Sequence, residues 1–173
     1  MLFVALALFA VEEPPAPPAP RPMSVEVVRD PVTDRVSATA TLRDAGQRLD
    51  IACDPARYPG LRVSFTSMYW LARGNLLTGE RSVTYRFDEQ RPRRLYWNVQ
   101  ARSGRIGDAR NRARPFIRDM LSSERVVIRT RDVEERPIDL IFRLVGARPA
   151  IAQLLDACGE SELKDSWFGA SGS

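Results

Sequence analysis

The feature that most limits the fold is a period-two alternation of apolar and polar residues through the first hundred positions. It is clearest in 35–42, where Val36, Ala38, Ala40 and Leu42 alternate with serine and threonine. Such alternation is typical of a β-strand with one face toward a core and the other toward solvent. Turn-forming residues separate the alternating stretches. The sequence therefore predicts six strands here: 25–28, 35–42, 48–53, 61–69, 82–87 and 94–100.

The second part of the chain changes its periodicity. Pro115 suits a first helical turn, and the apolar residues of 116–121 follow it at helical spacing. Two more strands are predicted at 125–130 and 138–144, and helical spacing returns at 148–157. This order predicts an α+β fold: an antiparallel β-rich domain of about eight strands, with two helices packed on one face of the sheet.

The domain organisation follows from the flanking segments. We expect a single β-rich α+β domain at 23–158 and a flexible C-terminal tail at 159–173. Residues 1–11 are apolar but shorter than the roughly 20 residues of a membrane-spanning helix. Their length suits a signal peptide; a start codon assigned too far downstream and a short uncleaved tail are the alternatives. Residues 12–22 form a proline-rich linker, which would be a spacer if the apolar segment is kept as a transient membrane tether.

Composition limits the chemistry that the chain can perform. Among 173 residues there is no histidine and there are only two cysteines, with a formal net charge of +4. Catalytic sites that need histidine and zinc sites built from cysteine and histidine are therefore excluded. No glycine-rich phosphate loop leads from a strand into a helix. We expect a protein that is not an enzyme, with no catalytic residues, no metal and no cofactor.

The two cysteines are predicted to form a disulfide. Cys53 ends a predicted strand, and Cys158 lies on the apolar stripe of the last helix. A bridge would close a loop of about 105 residues, worth about 4.7 kcal/mol if it acts by restricting the unfolded chain. Two unrelated buried thiols are the alternative. The absence of a Cys-x-x-Cys motif argues against a redox role.

A basic segment lies between 91 and 118, where nine arginines accompany a single acidic residue, Asp108. Its glycines and its lack of an apolar run predict a mobile loop that could bind an anionic partner. A solvated hairpin loop in an arginine-rich chain is the alternative, and nucleic acid is not expected as a partner. The candidate partner-binding residues are Arg91, Arg93, Arg94, Arg102, Arg105, Arg110 and Arg112.

Other polar and aromatic residues have simpler explanations. The mid-strand arginines are expected to form cross-strand charge pairs with aspartates, and the aspartates at strand ends are expected to stabilise turns instead of catalysing hydrolysis. Tyr69 and Trp70 are predicted at a strand end, either in the core or on a partner surface. The arginines are Arg86, Arg129 and Arg143; their candidate partners are Asp88, Asp132 and Asp139; the strand-end aspartates are Asp30, Asp34, Asp50, Asp54 and Asp88.

The order of motifs from about 50 to 158 resembles the VasI-type family, envelope proteins associated with type VI secretion. The resemblance rests on an early strand cysteine in IACDP, the strand VTYRFD, a tryptophan in LYWNV, the helix PFIRDML, the strand RVVIRTR, and a final helix ending in AC. The resemblance covers roughly two thirds of the chain, and it depends on the order of the motifs and not on any single one. It implies a periplasmic location and an accessory role without catalytic activity.

The sequence thus predicts a non-enzymatic periplasmic, or otherwise exported, accessory protein that is associated with a type VI secretion system. Its partner would be a protein of the envelope, either a secretion component or a cell-wall enzyme. The alternative is an exported inhibitor or immunity-like protein that binds an envelope enzyme such as a cell-wall hydrolase.

Overall fold

The structure is a computed structural model that describes residues 21–54, 60–71, 79–107 and 112–169. Within these ranges, one antiparallel sheet of nine strands packs against three helices, which confirms the predicted α+β class. The prediction of about eight strands and two helices missed one strand and one helix. The apolar segment 1–11, and the linker 12–22 except its last two residues, lie outside the described residues.

Neighbouring strands of the sheet follow the order β1-β2-β3-β4-β7-β6-β5-β8-β9. Short connections favour hairpins, and most consecutive strands are indeed adjacent, but β7 and β6 separate β4 from β5. The strands are β1 (Ser24–Arg29), β2 (Val36–Asp44), β3 (Gln47–Cys53), β4 (Leu61–Thr66), β5 (Glu80–Phe87), β6 (Arg93–Gln100), β7 (Ser103–Gly107), β8 (Arg125–Arg131) and β9 (Pro137–Arg143); the helices are α1 (Ala113–Met120), α2 (Ala147–Ala157) and α3 (Ser161–Phe168).

Alternating apolar side chains of the strands form one core on the inner face of the sheet. The residues that α1 and α2 bury belong to the same core, so both helices cover that face, as predicted. Phe116 of α1 lies at its centre, with its ring centroid 5.0 Å from that of Tyr85, 5.1 Å from Phe87 and 5.7 Å from Trp97. Burial of these large rings supplies much of the hydrophobic stabilisation of the fold.

The prediction of a mobile loop between 91 and 118 is wrong for Ser103–Gly107. These residues form β7, which pairs with β4 on one side and β6 on the other. The strand looked like a loop because it contains two glycines. Gly104, however, faces the ring of Phe65 on β4, which would overlap a Cβ atom at this position. Glycine is therefore needed here for close packing in the interior of the sheet.

The tail after Glu160, which was predicted to be loose, contains α3. No residue of this helix is fully buried, but Leu163, Trp167 and Phe168 are partly buried and pack against the core. Two further contacts join the helix to α2. Lys164 Nζ lies 2.7 Å from Asp156 Oδ1, and the Arg148 guanidinium lies 5.0 Å from the centroid of the Phe168 ring.

The predicted disulfide between Cys53 and Cys158 is present. It joins the end of β3 to the residue that follows α2, with the two Cα atoms 6.3 Å apart. Cys53 is only 1% exposed, whereas Cys158 is partly buried against the core. The bridge therefore fixes the C-terminal end of α2 to the inner face of the sheet.

A second link joins distant parts of the curled sheet. Arg143 at the end of β9 donates from Nε and Nη2 to the two carboxylate oxygens of Asp44 at the end of β2, each over 3.0 Å. These hydrogen bonds are the main cause of a lowered Asp44 pKa, and they outweigh the burial that would raise it. The sequence suggested a partner on a neighbouring strand for Arg143, but the curl of the sheet brings Asp44 to it instead.

We expect Asp44→Asn to lower the free energy of unfolding at pH 7 by about 1–2 kcal/mol, because the charge-assisted hydrogen bonds from a half-exposed arginine are weakened. A lowered folded-state pKa stabilises the fold above the unfolded aspartate pKa of about 3.9, and this stabilisation is lost as the pH falls through the folded value. The difference between the two proteins should therefore shrink toward pH 3 in urea unfolding. Asp34→Asn, in an exposed pair with Arg29, is the control and should have little effect. A loss of unfolding free energy in Asp44→Asn that does not change with pH would contradict the prediction.

The other charged residues that were predicted to be structural mostly are. Arg129 and Asp139 form the expected cross-strand pair, at 2.6 Å. Asp88 accepts hydrogen bonds from the backbone N–H groups of Glu124 and Arg125, as its turn position suggested. Arg86 differs from its prediction, since it lies 4.0 Å from Glu89 and not beside an aspartate.

Candidate functional site

The arginines predicted to form one basic loop do not lie together. The six described arginines are distributed over the β5–β6 turn, β6, the β6–β7 turn, β7 and the position before α1, and those in the sheet point to different sides of it. Arg91 is in the first turn; Arg93 and Arg94 are in β6; Arg102 is in the second turn; Arg105 is in β7; Arg112 precedes α1; and Arg110 lies outside the described residues.

Two of these arginines have structural roles. Arg93 Nη1 donates to Asp119 Oδ2 over 2.6 Å, which ties the start of β6 to α1. Arg112 Nη1 donates to Glu80 Oε1 over 2.7 Å and to the Tyr96 carbonyl over 3.1 Å, which holds the start of α1 against the sheet. These two side chains are therefore engaged within the fold, and their role in binding a partner stays an untested prediction.

The most unusual surface feature is a run of three large apolar residues that point into solvent just after β4. Met68 is 48% exposed, Tyr69 51% and Trp70 56%. Val133, in the β8–β9 turn, is 61% exposed and lies beside them, because its backbone N–H donates to the Trp70 carbonyl over 3.2 Å. Three consecutive exposed apolar residues are unfavourable in a soluble fold unless they serve a binding function.

Backbone hydrogen bonds on both sides hold this run in place. The N–H of buried Ser67 donates to the Arg102 carbonyl, and the N–H of buried Leu71 donates to the Ala101 carbonyl, each over 2.7 Å. Leu71 also forms an isolated β-bridge with Asp132. Because the flanking residues are anchored, the three apolar side chains between them are presented by a fixed backbone.

Asp132 orders the neighbouring β8–β9 turn. Its burial would raise its pKa, but hydrogen bonds from Arg136 Nε and from the N–H groups of Arg136 and Glu134 prevail and lower it. The carboxylate therefore remains charged at neutral pH and fixes the turn that carries Val133. Asp132 therefore stabilises the backbone beneath the apolar run, and its carboxylate does not project from the surface.

Arg102 adds a positive charge to this surface. Its guanidinium carbon lies 5.0 Å from the centroid of the Trp70 ring, which is a cation–π distance. We call Met68, Tyr69, Trp70, Val133 and Arg102 the aromatic patch. Tyr69, Trp70 and Arg102 are visible in the sequence, but nothing there groups them. The alternating pattern of β4 can be extended to Tyr69, so the sequence does not decide whether the two aromatic residues lie in the core or on the surface.

Metal clusters and membrane-spanning helices are not found in the described residues. No group of three or more metal-ligating side chains is arranged to hold a metal ion in the described ranges. None of the helices within them is long and apolar enough to span a membrane. The arrangement is suited to recognition, since it presents apolar rings and a cation on a rigid frame.

No family model matches this chain, and no curated protein matches it either. Among solved structures, its fold is similar to that of the invasion associated protein B from Bartonella henselae. The TM-score is 0.54 at 11% sequence identity, over 83% of this chain and 97% of that chain. At this identity the likeness shows a shared fold, and the resemblance to the VasI-type family remains a prediction.

Proposed function

We propose that this protein is an exported, non-enzymatic interaction module that binds an envelope protein through the aromatic patch. The observation that carries the proposal is the solvent exposure of Met68, Tyr69 and Trp70 on an anchored backbone. Tryptophan, tyrosine and arginine are the residues most enriched at the energetic centres of protein interfaces. A fixed backbone also lowers the entropic cost of binding.

The chemistry of the patch indicates the chemistry of its partner. The rings and the side chains of Met68 and Val133 need an apolar cleft, and Arg102 needs a carboxylate at the rim of that cleft. The formal net charge of +4 favours approach to an acidic surface. We therefore infer a protein partner with an apolar cleft bordered by acidic residues. The VasI-type resemblance makes a type VI secretion component a candidate.

Export is the second part of the proposal. A disulfide that links β3 to the end of α2 is stable in an oxidising compartment and rare in the cytosol, so it supports a periplasmic location. The invasion associated protein B shares the fold, and its name describes a role in invasion for that protein alone.

We expect Trp70→Ala to weaken partner binding about 30-fold or more, because removing a central interface residue costs about 2 kcal/mol or more. The fold should be retained, since the side chain is exposed. The measurement is capture from envelope extracts on immobilised full-length protein, with identification by mass spectrometry. Tyr96→Ala is the matched control, because Tyr96 is 55% exposed but lies on β6 outside the patch.

A partner retained equally by wild type, Trp70→Ala and Tyr96→Ala would contradict the role of the patch. The anchored backbone also favours a second candidate, an inhibitor that inserts this segment into a cell-wall hydrolase. Addition of the same three proteins to muramidase and amidase assays distinguishes the two functions. Inhibition that is lost in Trp70→Ala would identify the partner as the hydrolase. If the wild-type protein inhibits neither enzyme, the accessory role is favoured.

A further inference from the structure

The outer face of the sheet carries a depression of about 340 Å³ where β5 lies between β6 and β8. Its floor is made by two hydroxyl residues of β5, Ser82 and Thr84, and its sides include Arg94 of β6 and Arg129 of β8. This site is separate from the aromatic patch, because none of the residues that line the depression belongs to that patch.

The strand register places the two arginines on either side of one hydroxyl. Thr84 is paired with Arg94 in the β5–β6 ladder and with Arg129 in the β5–β8 ladder. Since adjacent strands lie about 4.8 Å apart, the two arginine Cα atoms are about 10 Å apart. Both side chains lie on the same face and line the depression, with the Arg129 guanidinium held toward β9 by Asp139.

The two arginines differ in what already binds them. Arg129 donates from Nε and Nη2 to the two oxygens of Asp139, each over 2.6 Å, so its Nη1 protons remain available. The Arg94 side chain is exposed and has no hydrogen bond or ion pair among the described residues. The hydroxyls of Ser82 and Thr84 likewise have no partner within the described part of the chain. The depression thus combines unsatisfied donors with the charge of Arg94, which no described carboxylate pairs. Arg81 and Arg131 also line it, and both pair with the same carboxylate, Glu135.

We propose that this depression binds a phosphate group. A tetrahedral oxyanion has oxygens in several directions, so it accepts hydrogen bonds from Arg94, from Arg129 and from the Thr84 hydroxyl at once. A carboxylate has two oxygens in one plane and cannot contact both sides of β5 equally well. Arginine is suited to this role because its planar group of donors matches phosphate oxygens.

The proposal is tested by titrating the full-length protein with inorganic phosphate at constant ionic strength. Backbone amide NMR signals of Thr84 and the Nε–H signals of both arginines report on the site. We expect saturable shifts, and Arg94→Gln should weaken the affinity about tenfold, the effect of losing one charge-assisted hydrogen bond. Thr84→Val removes the hydroxyl but keeps the side-chain shape, and it should also weaken binding.

Arg62→Gln is the matched control, because it removes an equal charge from the same face of the sheet but on β4, outside the depression. It should leave phosphate affinity within about twofold of wild type, since a partly exposed charge outside the depression is screened by salt. Shifts that never saturate, or that weaken equally in Arg94→Gln and Arg62→Gln, would overturn the proposal. Acetate that binds as well as phosphate would overturn it too.

Two further probes distinguish the sources of a phosphate group. Glucosamine phosphate represents a phosphorylated sugar, and phosphatidylglycerol vesicles, compared with phosphatidylcholine vesicles, represent a lipid headgroup. Tighter binding of either one than of inorganic phosphate, lost in Arg94→Gln, supports the proposal and names the carrier. Binding to vesicles that is unaffected by Arg94→Gln, without saturable phosphate binding, would overturn it.

Discussion

Replacing Cys53 and Cys158 together by alanine should lower the free energy of unfolding by about 4–5 kcal/mol. The bridge spans 105 positions of the chain. A loop of about 100 residues loses about 4.7 kcal/mol of unfolded-state entropy when it is closed. For a domain of this length, this corresponds to a fall in melting temperature of about 10–15 °C. Alanine is chosen because a serine hydroxyl at buried Cys53 would lack a hydrogen-bond partner.

Urea or thermal unfolding of four samples measures the effect: wild type and the double variant, each with and without reductant. Reductant should lower the stability of the wild type to about that of the double variant and leave the variant unchanged. Alkylation of thiols in intact cells, followed by mass spectrometry, then reports the state of the bridge where the protein functions. An oxidised pair there supports export. Two alkylated thiols in the native protein, with stability insensitive to reductant, would contradict both the bridge and the proposed location.

Phe116→Ala should be the most damaging single substitution considered, with a loss of about 3–5 kcal/mol. Phe116 is fully buried, and its ring contacts those of Tyr85, Phe87 and Trp97. Truncation would leave a cavity between α1 and the sheet, which a β-sheet with fixed hydrogen bonds cannot collapse to fill. Removing the ring also abolishes its pairing with three other aromatic rings, and this adds to the cost of the reduced apolar burial.

Urea unfolding followed by tryptophan fluorescence measures this effect, because Trp97 lies against Phe116. Arg118→Ala is the matched control: the residue is in the same helix but exposed, and alanine favours helix formation. It should change stability by less than about 0.5 kcal/mol. The loss of stability in Phe116→Leu should be smaller than in Phe116→Ala and larger than in Arg118→Ala. A loss below about 1 kcal/mol for Phe116→Ala would show that α1 does not close the core.

Much of the fold was predictable from local patterns. Period-two alternation located eight of the nine strands, and helical spacing located α1 and α2, because burial on one face imposes these periods on any sequence. The positions of Cys53 and Cys158, with the count of two cysteines and the expected export, favoured a disulfide over two separate thiols, and the bridge is present. The pairing of Arg129 with Asp139 was predictable because mid-strand opposite charges usually pair across a hairpin.

The candidate sites were less predictable, since exposure depends on what packs nearby. Tyr69 and Trp70 have the composition of a core strand, and only the anchoring of Ser67 and Leu71 to the β6–β7 turn turns them outward. The described arginines of the predicted basic loop do not form one group, and their role in binding a partner stays a prediction. The register of β6 and β7 distributes them over different faces, and that register is not visible in one sequence.

The sequence by itself determined which residues face the core, the two cysteines that bridge, and the absence of histidine chemistry. These properties follow from residue type and local spacing. Tertiary structure alone decided that a glycine-containing segment becomes β7 beside Phe65, that Arg143 finds Asp44 across the curled sheet, and that Arg94 and Arg129 flank Thr84. The physical reason is that these contacts join residues far apart in the chain, and the order and curvature of the strands set them.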